Sequence, residues 1–468
     1  MPSPRIQHAV IIGGSIAGLH AARVLADHAE RVTLLDKDAL DSTGNSRKGT
    51  PHARHAHLLL IKGLERMEAR FPGLTQRAMG WGAVRVNLGN EVRHYGSAGL
   101  LPTYSSGLRA LCASRSLLEE LTREQLMQQP KVAVRAQTEW MGMNVEKGRV
   151  TGVYLRSDAR PAGELLEADF VVDCSGRGSP VVRILESLGV PAPPEEVVNP
   201  KTAYASRLFQ GPRGALGWRM CQILPGQSPR GALVVPVEGD RYIVTLIGQK
   251  GDRPPTNEAG FLDFARSLPV PDVADFISRA TPISPIWGFH RGESRRRAWH
   301  KAASRVEGLV VMGDAACSLN PLYGQGMTTA VLAADTLDEQ LRQGNPKSPG
   351  FSRAFQKALA STLEGPWSLA TGEDRRWTEE NAGIGERMSR SWIERVQRGA
   401  VRSPVLAEAL HRVVQLLDTP ASLGSFRVLA ELARLGIGAA PEQAPARPDV
   451  EPDRGSASAP AMEQRQAG

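Results

Sequence analysis

The residues Gly13-Gly14-Ser15-Ile16-Ala17-Gly18 have the types and spacing to hold a diphosphate. Gly13 permits a tight turn, the small Ser15 lets a pyrophosphate approach the backbone, and Gly18 lets a helix pack close to a sheet. Free N–H groups at the start of that helix then face the phosphates, where the helix dipole favours negative charge. Further along, Asp36 ends an apolar strand with Lys37 beside it, and is placed to accept hydrogen bonds from a ribose hydroxyl. A carboxylate there favours an unphosphorylated ribose, hence FAD or NAD over NADP. The pattern departs from the dinucleotide fingerprint at Ser15, where glycine is usual.

A second segment narrows the choice. Gly313-Asp314-Ala315-Ala316 follows the apolar strand Leu309 to Met312, and Asn320-Pro321-Leu322-Tyr323-Gly324-Gln325-Gly326-Met327 opens a helix of small residues. An aspartate after a strand can hydrogen-bond a sugar or ribityl hydroxyl. Glycines entering a helix expose N–H groups that stabilise negative charge on a reduced isoalloxazine ring. Taken alone, the same residues also describe a loop and an ordinary helix cap.

Together, VIIGGSIAGL, DCSGRGS and GDAACSLNPLYGQGM resemble the single-component flavoprotein monooxygenases, the para-hydroxybenzoate hydroxylase-like and squalene-epoxidase-like enzymes, over roughly residues 6 to 345. Pro51-His52-Ala53-Arg54-His55-Ala56-His57 resembles a loop of bacterial members in natural-product pathways, some of them epoxidases. The resemblance implies non-covalent FAD. Gly13, Gly14, Ser15, Ile16, Ala17 and Gly18 would surround its pyrophosphate, and Asp36 and Lys37 its adenosine ribose. Gly313 and Asp314 would meet the ribityl-pyrophosphate region. Pro321, Gly324, Gln325, Gly326 and Met327 would line the flavin ring. Arg115, in Ser114-Arg115-Ser116-Leu117-Leu118, resembles an arginine that reaches the cofactor from a helix, and Arg54 occupies the slot of an arginine beside FAD. Asp173, with Ser175 and Gly176, resembles the family's middle motif. Many hydroxylases carry Asp-Gly there, linked to FAD and NADPH binding, whereas this chain has Asp-Cys-Ser-Gly.

The implied reaction is monooxygenation. NADPH or NADH, as a transient donor, reduces the flavin, and a C4a-hydroperoxyflavin passes one oxygen atom to a hydrophobic specialised metabolite by epoxidation or hydroxylation. The cofactor carries the hard chemistry, so no side chain is assigned as catalytic. A separate flavin reductase is an alternative source of electrons. Alternative readings of the chain are a flavin-dependent reductase of an isoprenoid chain and, outside enzymes, a redox-inactive FAD-binding sensor or scaffold.

Composition agrees with an enzyme of this size. A chain of 468 residues is too long for one simple core and suggests two intimately joined domains. No apolar run approaches the roughly 18 residues that span a bilayer. The N-terminus lacks a signal-peptide layout, so a cytoplasmic location is expected. Four scattered cysteines show no metal or redox spacing. The net charge of +8 is spread along the chain without a basic stripe, which argues against nucleic acid. His52, His55 and His57 can be read as metal ligands, but no nearby carboxylate or cysteine completes a site; the alternative reading is a cofactor-proximal loop, with His57 near the flavin. Arg295, Arg296 and Arg297 read as a solvated charge run. The Trp-x-Trp-x-Ile-Pro motif of flavin halogenases is missing, and no second glycine fingerprint marks a nicotinamide-nucleotide domain.

The elements that must position these residues follow from periodicity. His8 to Ile12, Gly18 to Ala26 and Arg31 to Asp36 read as strand, helix and parallel strand. Val145 to Tyr154 reads as a hairpin turning at Glu146-Lys147-Gly148-Arg149. Ala168 to Asp173 and Gly308 to Gly313 read as buried strands, and Met327 to Arg342 as a helix. Gly231 to Gly248 reads as two strands around Glu238-Gly239-Asp240, with Pro236 best placed on an edge. Leu406, Leu410, Val413, Val414 and Leu417 fall on one helical face, and Ser425 could cap a further helix ending near Gly436. These last helices more often cover a neighbouring domain, though they also suit a membrane surface. The expected fold class is α/β: a Rossmann-like FAD-binding domain (1–75, 108–178, 301–345) interleaved with a mostly antiparallel substrate-binding sheet (76–107, 179–300). C-terminal helices (346–440) and a disordered tail (441–468) follow.

Overall fold

The structure, a computed structural model, describes residues 6–40, 47, 49–211, 216–290, 292–302, 306–378 and 383–438. The tail expected to be disordered lies outside them.

Strand β1 (Ile6–Ile12) is buried at every position except Gln7. Such a continuous apolar run is what a parallel strand covered on both faces requires. Helix α1 (Ile16–His28) returns the chain to β2 (Ala29–Leu35), which pairs in parallel with β1. Strands β3 (Val132–Arg135), β4 (Phe170–Asp173) and β5 (Leu309–Val311) complete a parallel sheet in the order β5-β4-β1-β2-β3. The register sets Ile12 against both Leu35 and Asp173, and Asp173 against Val311. The strands therefore end in a row. The turns that follow them, at Gly13, Asp36, Cys174 and Gly313, converge on one edge, where the strand order reverses. That edge is where open parallel sheets bind ligands.

Between β3 and β4 the chain forms a hairpin of Thr138–Glu146 and Arg149–Ser157, extended by Arg160–Glu167. Its two-residue turn needs positive φ at both positions, and Lys147 (50°) and Gly148 (76°) supply it.

The second large sheet has eight strands. Its centre is Ala203–Gln210, Arg241–Gly248, Arg230–Val237 and Met220–Ile223, paired antiparallel. Val92–Gly96 joins Met220–Ile223 in parallel, so part of the segment between β2 and β3 is built into this sheet. Side chains alternate across it. Phe209, Val234 and Val244 pack under the helices Glu258–Arg266 and Asp272–Arg279. Tyr204, Leu233, Val235 and Ile247 face the other way, toward Leu322.

Two expectations are corrected in detail. Pro236 lies in an interior strand, not an edge strand. The neighbouring strand stops pairing at Cys221–Val234, so the sheet demands no bond from Pro236 on that side. Val414 does not share the buried face of Leu406 and Val413: it is 43% exposed, because Pro404–Val414 ends there and Leu416 turns the chain with φ 57°. Ser425 precedes the helix Phe426–Arg434, but its side chain makes no capping bond. Among the described residues, no helix is long and apolar enough to cross a membrane.

Candidate functional site

The glycine turn is packed too closely for side chains. Gly13 has φ 101°, and a Cβ there would lie 2.5 Å from the Cys174 carbonyl oxygen. A Cβ on Gly18 would lie 1.7 Å from the Gly13 carbonyl oxygen. Gly14 donates its N–H to Asp36 Oδ2 at 2.7 Å, tying the turn to the end of β2. Asp36 is fixed further by the N–H of Asp38 at 2.8 Å and by Arg47 Nη1 at 2.9 Å.

The departure at Ser15 has a structural reason. Ser15 is the N-cap of α1, yet its hydroxyl makes no capping bond. It donates instead to Glu119 and accepts from Arg115 Nη2 at 2.7 Å. Both partners lie on the helix α2 (Arg115–Leu126). The first N–H groups of α1 thus stay available to an anion. Glu119 is bound by Arg115 Nε at 2.9 Å and by Arg47 Nη2 at 2.6 Å. Burial pushes its carboxyl up, but the charges of Arg115 and Arg47, with bonds from Ser15 and Arg47, outweigh this and hold it down to about 2. Neither Arg47 nor Glu119 was singled out from sequence. Arg47 lies in a polar stretch without periodicity, and Glu119 looks like one of several helix carboxylates.

Arg115 also donates through Nη1 to His52 Nε2. His57 Nδ1 lies 2.9 Å from the His55 carbonyl oxygen, and the rings of His52 and His57 are 5.6 Å apart. Burial, then the Arg115 charge, pushes both imidazoles down, His57 to about 3 and His52 well below its ordinary value. Both are neutral near pH 7. Among the described residues, no histidine, cysteine and carboxylate cluster could hold a metal ion.

A cleft of about 1140 Å³ follows the sheet edge. It runs from Asp36 and Trp140 on the β2–β3 side to Asp314 and Met327 on the β5 side. Gly13, Gly14, Ser15, Ile16, Ala17, Lys37 and Arg115 line it, as do Gly313, Pro321, Gly324 and Gly326. Burial pushes the Asp314 carboxyl up, against the charges of Arg115 and Arg177.

Other residues expected at the cofactor do not line the cleft. Gly18 lies behind the turn, where it permits the helix contact. Asp173 is fully buried and spends its oxygens on Ser175 N at 2.9 Å, Ser175 Oγ at 2.6 Å and Ser179 Oγ at 2.6 Å, so it shapes the Cys174–Arg177 wall from behind. Gln325 is buried at the start of the helix α3 (Gly326–Gln343). Arg54 turns away, its guanidinium 5.6 Å from the Trp287 ring centroid. The arginines near the turn are Arg115, bonded to Ser15, and Arg47, bonded to Asp36.

The 320–324 turn is pinned by a buried polar network. Tyr204 donates to Asn320 Oδ1 at 2.7 Å, and Asn320 Nδ2 donates to Asp374 Oδ1 at 2.7 Å. Tyr323 and Ser294 also donate to Asp374, at 2.8 and 2.9 Å. Burial pushes Asp374 up to about 7, although the bonds from Asn320, Tyr323 and Ser294 oppose it. Gly324 has φ 64°, and a Cβ there would lie 2.9 Å from Leu58 Cβ.

These features fit FAD. The cradle excludes side chains where a pyrophosphate must approach, a carboxylate ends β2, and the cleft continues past the diphosphate site to a second glycine turn. The fold and site therefore define a flavin-dinucleotide-binding protein. The chain belongs to the FAD binding domain family of para-hydroxybenzoate hydroxylase-like flavoproteins, which matches residues 7–343. It is 30% identical over 433 residues to Protein Rv3254 of Mycobacterium tuberculosis (strain ATCC 25618 / H37Rv), covering 88% of this chain and 90% of that one. The flavin-dependent brominase Bmp2 has a similar structure (TM-score 0.64, 14% identity, 92% of this chain and 98% of that one). So has the p-nitrophenol 4-monooxygenase PnpA from Pseudomonas putida DLL-E4 (TM-score 0.60, 17% identity, 87% and 98%).

Proposed function

We propose that the chain is an FAD-dependent monooxygenase that delivers one oxygen atom from O2 to a hydrophobic specialised metabolite, by epoxidation or hydroxylation, with NADPH or NADH as electron donor. The observation that carries this is the apolar lining of the cleft on the second-sheet side. Ala56, Leu58, Phe289 and Leu319 line it beside Pro321 and Gly324, and Ala56, Leu58 and Phe289 are backed by the buried Tyr204, Val235 and Ile247, so an apolar substrate would find its wall next to the flavin ring.

When bound, FAD would supply the redox and oxygen chemistry, with electrons from the nicotinamide donor, one oxygen atom of O2 going to substrate and the other to water. The protein's part is placement. The N-terminus of α1 would hold the pyrophosphate, and Asp36 the adenosine ribose. The backbone N–H groups entering α3 would stabilise negative charge on the ring. Asn320 and Asp374 hold that turn in place. The apolar wall excludes water from the reacting centre.

The purified holoenzyme should be yellow and should oxidise NAD(P)H and consume O2 faster when a panel of hydrophobic alkenes and phenols is offered. Protein that takes up no FAD would sink the reading. Turnover that depends on halide and yields no oxygenated product would replace it with halogenation, the kind of chemistry named for Bmp2.

A further inference from the structure

The segment from His52 to Leu58 runs along the cleft between two landmarks. At its start, His52 accepts from Arg115, which also holds Ser15 beside the pyrophosphate turn. At its end, Leu58 packs on Gly324. His57 stands next to the second landmark. Ala56 and Leu58 pack toward Tyr204, Leu233 and Leu322 on the second-sheet side. His57 lines the cleft with them, near His52 and the charge of Arg115.

The tautomer of His57 follows from its one hydrogen bond. A carbonyl oxygen only accepts, so Nδ1, 2.9 Å from the His55 oxygen, carries the proton. The imidazole is neutral, so Nε2 is a bare lone pair. Among the described residues, no donor reaches it. A half-buried acceptor in the wall of a cofactor cleft calls for a donor on the ligand. The oxidised isoalloxazine ring has one such group, N3–H.

We propose that Nε2 of His57 accepts a hydrogen bond from N3–H of the bound isoalloxazine, which makes His57 a cofactor-binding residue that recognises the flavin ring by its edge. The proposal rests on the reading of the cleft as an FAD site.

The test is titration of the apoprotein with FAD and with N3-methyl-FAD, read by flavin fluorescence, for wild type, H57L and H57Q. Wild type should prefer FAD over the methylated analogue by about tenfold, the size of one hydrogen bond whose loss leaves a desolvated partner. H57L should bind FAD about tenfold more weakly and lose the preference. H57Q, which places an amide oxygen in reach of the same donor, should recover most of both, and it carries the test alone if circular dichroism shows H57L unfolded. The proposal is overturned if H57L keeps the wild-type FAD affinity, if it discriminates against the methylated analogue as wild type does, or if folded H57Q loses the preference. Wild type that binds neither ligand would overturn the FAD reading itself, a distinguishable failure.

Discussion

Ser15 donates its hydroxyl to Glu119, a residue 104 positions away. The bond joins the glycine turn to α2 and leaves the N–H groups at the start of α1 open. The residue that breaks the glycine fingerprint is therefore a strut of the same site.

Glu119 is the centre of that strut. It is 4% exposed and lies between Arg115 and Arg47. Replacing it with glutamine strips two arginines of their common anion, a loss of about 3–5 kcal/mol by comparison with other broken buried pairs. E119Q should melt well below wild type and bind FAD more weakly, as seen by thermal denaturation and flavin fluorescence. Because the folded-state carboxyl is held at about 2, below its ordinary 4.5, its stabilisation is present above pH 4.5 and fades as pH falls toward 2. That acid-side loss should be smaller in E119Q.

Asp374 has the opposite sign. Its folded-state carboxyl is raised to about 7 from 3.8. Its stabilisation is complete below pH 3.8 and is lost as pH rises through 7. The melting temperature of wild type should therefore fall between roughly pH 4 and pH 8 by more than that of D374N, which keeps an amide in the network. Parallel profiles for the two proteins would rule this out.

Arg115 and Arg54 separate the structural reading from the sequence reading. Arg115 lines the cleft, whereas Arg54 stacks near Trp287. R115A should weaken FAD binding by tenfold or more, in line with the loss of a charge-assisted bond. R54A should stay within about twofold of wild type. An equal loss for both would place Arg54 back at the cofactor.

Gly18 tests the cradle. A methyl group there would meet the Gly13 oxygen at 1.7 Å, so the turn and α1 must separate. G18A should lose FAD binding altogether, or fold poorly, with a destabilisation of several kcal/mol. A yellow G18A of normal stability would contradict the geometry.

Much of this was legible in sequence, for local reasons. The β-α-β start, the hairpin at Lys147-Gly148 and the alternating strands around Asp240 are set by short-range periodicity and turn chemistry, and the structure has them. The glycines of both turns were visible because close backbone approach leaves few alternatives. What sequence did not show is long-range partnership. Nothing local says that Glu119 reaches Ser15, that Arg47 meets Asp36, or that Asp374 pins Asn320. Asp173 is expected at the cofactor through its resemblance to the family's middle motif, but two serines in the following loop claim its oxygens.

The central claim is that oxygen from O2 enters the substrate at this cleft. Turnover under 18O2, with whichever alkene or phenol accelerates NAD(P)H oxidation, tests it most directly by mass spectrometry. The account predicts a product carrying one 18O atom, with the other recovered in water. A product whose new oxygen comes from unlabelled solvent, or a saturated product with no new oxygen, would contradict it.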